Sequence, residues 1–308
     1  MIGGIYLTRH IITLSKGLDM QSVPYRLYQK AKRLGTWNPE DIDLTQDVND
    51  WVHFTGEQKR EILGMIVNFL AGEEAVTVDL LPLLIAVARE GRLEEEMYLT
   101  TFLFEEAKHT EFFRLFINTL GVTEDLTPYL NRRGIPMLYL DDTDATQQDS
   151  NTLTRTMNRL LTDDSPEAFA DAAVLYNMLI EGVGAETGYW FFEQALEKRG
   201  LMPGLMEGIR LIKKDESRHI SYGTYLLHRL IQEHPHLYEY IMQRMDEWNP
   251  AEQPIPSMIA NYPDAFGVGL ERRFAFAQKQ FAIRKQIIAR AKDKSLEEIY
   301  RQFNLESL

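Results

Sequence analysis

The sequence predicts an all-α protein with a four-helix bundle core and additional helices around it. Three observations point there. Apolar residues recur at helical spacing through long segments, alternating Val, Ile and Thr runs of the strand kind are almost absent, and four of the long segments carry helix start and stop signals. The first core helix opens at Thr55-Gly56-Glu57-Gln58, where Thr55 can cap and Gln58 can reach back, and runs to about Glu90 before Gly91, with a kink expected at Pro82. The second starts in the acidic turn Glu94-Glu95-Glu96, which suits the positive end of a helix dipole, and stops at Gly121. The third has Ser165 as cap and Pro166 as first residue and continues through Glu197 to Gly200. The fourth runs from about Pro203 to Glu233, ahead of Pro235.

Shorter helices are expected at Val23 to Arg33, Thr152 to Leu161 and Leu237 to Trp248, with a long amphipathic helix from about Gly269 to Ala291 and a last one beyond Lys294. Pro128 to Ser150 reads as a loop between two helix pairs. Nothing in its composition resembles a flexible linker, so residues 1–308 are expected to form a single domain.

The bulk composition narrows the function classes. With 308 residues, 44% of them hydrophobic, the chain can bury a sizeable core unaided. It has no Cys, which removes thiolate ligands and thiol nucleophiles and leaves oxygen and nitrogen as ligand atoms. A formal charge of -13 opposes a broad grip on nucleic acid or an anionic membrane. The start of the chain lacks the pattern of a signal peptide, and the apolar stretch Leu80 to Ala88 is too short to span a bilayer, so no transmembrane segment and a cytoplasmic location are expected.

Two segments place Glu and His three residues apart: Glu106 with His109, and Glu216 with His219. On a helix each pair projects from one face and can hold one ion. About one such pair is expected by chance in a Glu-rich chain, and a further one, Glu233-His234-Pro235-His236, is discarded because Pro235 breaks the helix. The spacing of partner carboxylates raises the signal. Glu73 lies 33 residues before Glu106, and Glu181 lies 35 before Glu216. If each interval is an antiparallel hairpin, Glu73 and Glu106 stand about 27 and 22 Å from Gly91, and Glu181 and Glu216 about 28 and 20 Å from the turn at Gly200 to Pro203. Each pair can then meet across its hairpin. One Glu from each of two helices and a Glu-His pair from each of two others is the ligand set of dinuclear iron and manganese carboxylate bundles. Four carboxylates and two imidazoles favour iron or manganese and leave coordination positions open. Glu74 and Glu186 satisfy the same spacing as Glu73 and Glu181, and both choices stay open on spacing alone.

These residues resemble the ligand-binding oxidases related to the small subunit of ribonucleotide reductase, over the four core helices. In that family the first carboxylate has a Val three residues later and the third has a Tyr five residues earlier. Here the matching runs are Glu73-Glu74-Ala75-Val76 and Tyr176-Asn177-Met178-Leu179-Ile180-Glu181. The resemblance selects Glu73 and Glu181. It implies a ferritin-like bundle holding manganese and iron, di-iron being the alternative, with Glu73, Glu106 and His109 nearer one site and Glu181, Glu216 and His219 nearer the other. Glu106 and Glu216 would bridge. It also implies dioxygen activation with a two-electron oxidation that joins Val76 to Tyr176 as an ether. A long-chain fatty acid would be the ligand and a homodimer the assembly.

Two rival functions remain at this level. A ribonucleotide reductase small subunit uses the same scaffold, but its tyrosyl-radical members have a Tyr four residues after the first metal His, where this chain has Phe113, and they end in a flexible tail. Non-catalytic metal storage suits chains about half this long. Among the remaining residues, Asp215 is a candidate to orient a metal-bound His. Gly182, Gly184, Ala185 and Gly188 suit either close helix approach or room for an acyl chain. Arg272, Arg273, Lys279, Arg284, Lys285 and Arg290 read as the wet face of the last long helix.

Overall fold

The computed structural model describes residues 11–130, 152–249 and 264–292, and these form helices and turns with no strand among them. In chain order the helices are α1 (Ile12–Ser15), α2 (Val23–Leu34), α3 (Thr45–His53), α4 (Gly56–Asp79), α5 (Leu81–Glu90) and α6 (Leu93–Thr119). Then follow α7 (Thr152–Arg159), α8 (Pro166–Ala173), a π-helical segment (Val174–Ala185), α9 (Glu186–Ala195), α10 (Pro203–Glu233), α11 (Leu237–Glu247) and α12 (Leu270–Ala289). Most of the expected loop Pro128 to Ser150 and the expected helix beyond Lys294 lie outside the described residues.

The local signals act as anticipated. Thr55 accepts from the Gln58 amide at 3.2 Å while the Gln58 side chain accepts from the Thr55 amide at 2.9 Å, which satisfies two otherwise orphaned donors. Pro82 does more than kink its helix. Its missing N–H ends α4 at Asp79 and starts a new helix at Leu81, since a proline is at home in a first turn and not in an interior. Gly91, Gly121 and Gly200 adopt positive φ at helix ends, where a side chain would be strained. The expected third helix is continuous but not uniform: from Val174 to Ala185 it widens into π-helix. Such wide turns are frequent at functional sites, and this one carries Tyr176 and Glu181.

The four long elements α4, α6, the α8–π–α9 rod and α10 pack side by side, and two buried apolar clusters fill the bundle on either side of a polar middle layer. One contains Val76, Phe102, Leu175, Tyr176 and Leu226; the other contains Ile62, Phe113, Phe116, Tyr189 and Ile209. Close approach depends on glycines. A Cβ on Gly208 would lie 1.9 Å from the Phe112 ring, one on Gly223 2.2 Å from Asn177 Cβ, and one on Gly188 2.5 Å from the Phe69 ring. The stretch Pro166–Arg199 is long and apolar enough to cross a membrane, yet 83% of its apolar window is buried in the bundle, so core packing accounts for its composition.

One expectation needs correction. The basic residues of α12 do not share a wet face. Arg284 reaches inward to donate to the Gly182 carbonyl at 3.1 Å, and Arg273 pairs with the fully buried Glu61 at 2.7 Å. Helical geometry explains the split: Arg273 and Arg284 fall on one line of the helix, about 100° from the line of Arg272, Lys279 and Arg290.

Candidate metal centre

The middle layer is a cluster of acids and imidazoles. α4 contributes Glu73, α6 contributes Glu106 and His109, the π segment contributes Glu181, and α10 contributes Glu216 and His219. All six are buried, with exposures from 0% to 6%, a degree of burial that four carboxylates could not tolerate without a compensating charge. Ligand atoms of Glu73, Glu106, His109 and Glu216 lie within 4.8 Å of one another, as do those of Glu106, Glu181, Glu216 and His219. The two groups share Glu106 and Glu216, so the six side chains could hold two ions. Glu74, by contrast, is exposed, and Glu186 joins neither group.

The cluster fits two cations on the evidence of its own atoms. Glu181 Oε1, Glu216 Oε2 and His219 Nδ1 are buried and make no hydrogen bond, although buried polar atoms are nearly always satisfied. Their acceptor lone pairs converge on one place. Electrostatics agrees. Burial, then the adjacent Glu106 charge, pushes the Glu73 carboxyl well up, and burial pushes Glu181 up to about 8. Burial would also raise Glu106, but hydrogen bonds with His109 and His219 outweigh it and hold the group well down. Burial alone would lower the two histidines; for His109 the Glu73 charge and for His219 the contact with Glu105 lead the effects that instead raise them. Without cations the cluster must retain protons to limit its charge. Two divalent ions would take their place, with oxygen and nitrogen donors of the kind that suit iron and manganese.

A second ring of side chains fixes the imidazoles by a crossed pairing. His109 contacts Asp215 through Nε2 at 3.2 Å, and His219 contacts Glu105 through Nε2 at 2.9 Å, so the acid preceding each motif Glu serves the histidine of the other motif. Each Nδ1 is thereby turned towards the centre: His109 Nδ1 lies 3.3 Å from Glu73, and His219 Nδ1 3.1 Å from Glu106. Such partners set tautomer and ring orientation of metal-binding histidines. Arg218 is ion-paired with both Glu105 and Asp215, Lys108 approaches Asp215 at 3.0 Å, and Trp37 Nε1 donates to Asp215 at 2.8 Å. Burial would raise Asp215, but its contacts with His109, Lys108 and Arg218 hold it below the usual carboxylate range. The orienting role expected for Asp215 is thus what its contacts support. Glu105, Arg218, Lys108, Trp37 and Asn177, which donates to Glu181 at 2.8 Å, were not anticipated. The repeated acid before each Glu-x-x-His was the available signal for Glu105.

Val76 and Tyr176 both enter the apolar cluster on one side of the centre, exposed by 5% and 2%. The Tyr176 hydroxyl donates to Glu106 Oε1 at 3.1 Å, and burial together with the surrounding carboxylates keeps this phenol strongly protonated. Phe113, at the place where a radical-forming Tyr would be required, is fully buried and stacks at 5.5 Å on Phe69. Of the four small residues, Gly182 is closed over by Arg284 and Gly188 by Phe69, so for these two the close-approach reading holds.

Fold and site together define a dinuclear metal carboxylate protein of the ferritin-like bundle class. The model of the ribonucleotide reductase small chain family matches residues 23–255. Among solved structures, the R2-like ligand-binding oxidase from Sulfolobus acidocaldarius superposes with a TM-score of 0.82 at 34% identity, covering 94% of this chain and 98% of that one. A tyrosine-to-phenylalanine variant of an R2-like ligand-binding oxidase with aerobically reconstituted Mn/Fe cofactor gives 0.80 at 36% identity over 91% and 99%. A valine-to-alanine variant with anaerobically reconstituted Mn/Fe cofactor gives 0.79 at 38% over 91% and 98%. The chain belongs to the ribonucleotide reductase small chain family and, within it, to the R2-like ligand-binding oxidases. It is accordingly an oxidoreductase of the dinuclear metal oxidase type.

Proposed function

We propose that the protein is a dioxygen-activating oxidase whose manganese and iron ions are held by Glu73, Glu106, His109, Glu181, Glu216 and His219, with Glu106 and Glu216 shared between them. The observation that carries this reading is a pair of overlapping groups of four buried ligands, one of which holds three buried acceptor atoms with no hydrogen bond. When bound, such a pair of ions supplies the electrons and open coordination positions needed to reduce dioxygen. The protein's own part is to hold the ligands rigid through the crossed His–acid pairs, to exclude water with the two apolar clusters, and to keep Tyr176 beside Glu106.

Within this reading Val76 and Tyr176 become joined as an ether. The Val76 Cβ–H and the Tyr176 O–H are lost, a C–O bond forms, and the two electrons and two protons go to dioxygen reduction. The burial of both side chains in one apolar cluster and the Tyr176–Glu106 hydrogen bond support it, since Glu106 offers the phenol proton an acceptor. A long-chain fatty acid bound by its carboxylate is the proposed ligand, and a homodimer the proposed assembly. The name of the related oxidases supports a bound ligand in general terms. The exposed apolar side chains Val78, Leu81 and Phe104 support self-association.

The test is tryptic mass spectrometry of protein loaded with manganese and iron and then exposed to air. A peptide joining Val76 to Tyr176, lighter by two hydrogens, is expected, and it should be absent when oxygen is withheld. Two bound metals without the joined peptide would remove the cross-link and favour a radical-supplying subunit.

A further inference from the structure

A line of aromatic rings leaves the metal centre on the α6–α10 side, starting at His219 and passing Phe102, which also stacks on Tyr176 at 5.9 Å. His219 stacks on Phe102 with ring centroids 3.6 Å apart and planes at 16°. Phe102 lies 6.1 Å from Tyr98, Tyr98 lies 5.1 Å from Tyr222, and Tyr222 lies 6.3 Å from Tyr225. The first four rings are fully buried and the last is partly exposed, so the line runs from centre to surface.

The tyrosines differ in one decisive respect. Oxidising a phenol inside a protein needs somewhere for its proton, because a protonated radical cation is too costly to bury. The Tyr98 hydroxyl has no hydrogen-bond partner among the described residues. Tyr222, in contrast, donates to Glu95 Oε2 at 3.0 Å, and Glu95 is a buried carboxylate paired with Arg229 at 3.4 Å. Phe102 and Tyr98 can therefore act only as bridging rings, while Tyr222 has an acceptor in place and can hold a radical.

We propose that Tyr222, with Glu95 as proton acceptor and Tyr225 as outlet, forms a relay that delivers electrons from a small reductant in solution to the metal centre. The proposal rests on the oxidase reading above. One electron passes from the Tyr222 phenol through Tyr98 and Phe102 towards the centre as its O–H proton moves to Glu95. An electron from Tyr225 then reduces the Tyr222 radical, Glu95 returns the proton, and Tyr225 gives up its own proton to water. A reductant of the ascorbate class restores Tyr225 by donating one electron and one proton. In sum the reductant loses one electron to the centre and one proton to water. Such a path serves whenever dioxygen is reduced without Val76 and Tyr176 supplying their electrons, which includes every turnover after they have been joined.

The experiment uses full-length Tyr176→Phe protein loaded anaerobically with manganese and iron, then oxygenated and freeze-quenched. An electron paramagnetic resonance signal of a tyrosyl radical is expected. It should be lost in Tyr176→Phe/Tyr222→Phe, with metal content unchanged and a fall in urea midpoint no larger than the lost Tyr222–Glu95 hydrogen bond accounts for. Fluorinated tyrosine incorporated at position 222 should bring the signal back with fluorine hyperfine splitting. Tyr176→Phe/Tyr225→Phe should keep the signal but slow its quenching by ascorbate. A signal unaffected by Tyr222→Phe, or oxygen consumption with no signal at all, would overturn the relay alone. Loaded protein that consumes no oxygen would remove the oxidase reading and the relay with it.

Discussion

Replacing Gly223 with Ala tests how the bundle holds its second ion position. Gly223 lies on α10 against the π segment, and an added Cβ would sit 2.2 Å from Asn177 Cβ, 2.4 Å from its Cγ and 2.6 Å from its Oδ1. Because the nearest atom is a Cβ, no rotamer change relieves the clash, and α10 must separate from the π segment. Overpacking of this kind costs about 1–3 kcal/mol. Asn177 is fully buried and its amide donates to Glu181 at 2.8 Å, so its displacement also removes a hydrogen bond to a carboxyl that keeps its proton without metal, worth about 0.5–1.5 kcal/mol. Gly223→Ala should therefore lose about 2–4 kcal/mol in urea unfolding of the metal-free protein. It should bind one ion fewer by elemental analysis, since Glu73 and His109 stand on helices the clash does not reach. Gly72→Ala is the internal control: its Cβ would meet nothing within 4 Å, and it should gain about 0.5–1 kcal/mol as a helix-interior glycine removed. A Gly223→Ala protein with the parental midpoint and full metal content would refute the packing argument.

Glu105→Ala should weaken metal binding by about 10–100-fold in a chelator competition, because His219 loses the partner that orients its ring; unchanged affinity would show that packing alone orients the imidazole. His228 provides a pH test away from the metal centre. Burial, aided by Arg290 and opposed by the Ile287 carbonyl it contacts, lowers its folded-state pKa to about 4 from an ordinary 6.5. Below pH 6.5 the unfolded chain binds the proton and the folded chain does not, so stability falls as pH drops from 6.5 towards 4 and levels off beneath. At about pH 5 the loss should be about 2 kcal/mol relative to pH 7. His228→Phe should lack that component when urea midpoints are compared at the two pH values, and an identical acid slope in both proteins would contradict it.

How far the fold could be read in advance followed from how local its causes are. α10 begins at Pro203 and ends at Glu233 because prolines act within a turn, and such signals are written beside the helix they bound. The π segment carries no such mark. Its wider turns sit where Arg284 covers Gly182 and Asn177 packs against Gly223, contacts that are distant in sequence. The same division holds at the site. Glu106–His109 and Glu216–His219 are visible as helical spacings, whereas Glu73 against Glu74 and Glu181 against Glu186 needed a family resemblance, since adjacent or one-turn-removed acids satisfy the same hairpin heights. Asp215 was anticipated as an orienting acid. Glu105 occupies the equivalent place, yet an acid beside a glutamate in an acid-rich helix has the pattern of solvated surface, and only the fold reveals that it crosses to His219.

The six side chains proposed as ligands would hold two ions in adjacent positions. Anomalous diffraction from crystals of loaded protein, collected at the manganese and iron edges, tests it most directly. Two peaks are expected, one among Glu73, Glu106, His109 and Glu216 and the other among Glu106, Glu181, Glu216 and His219. A single peak, or peaks outside this layer, would contradict it.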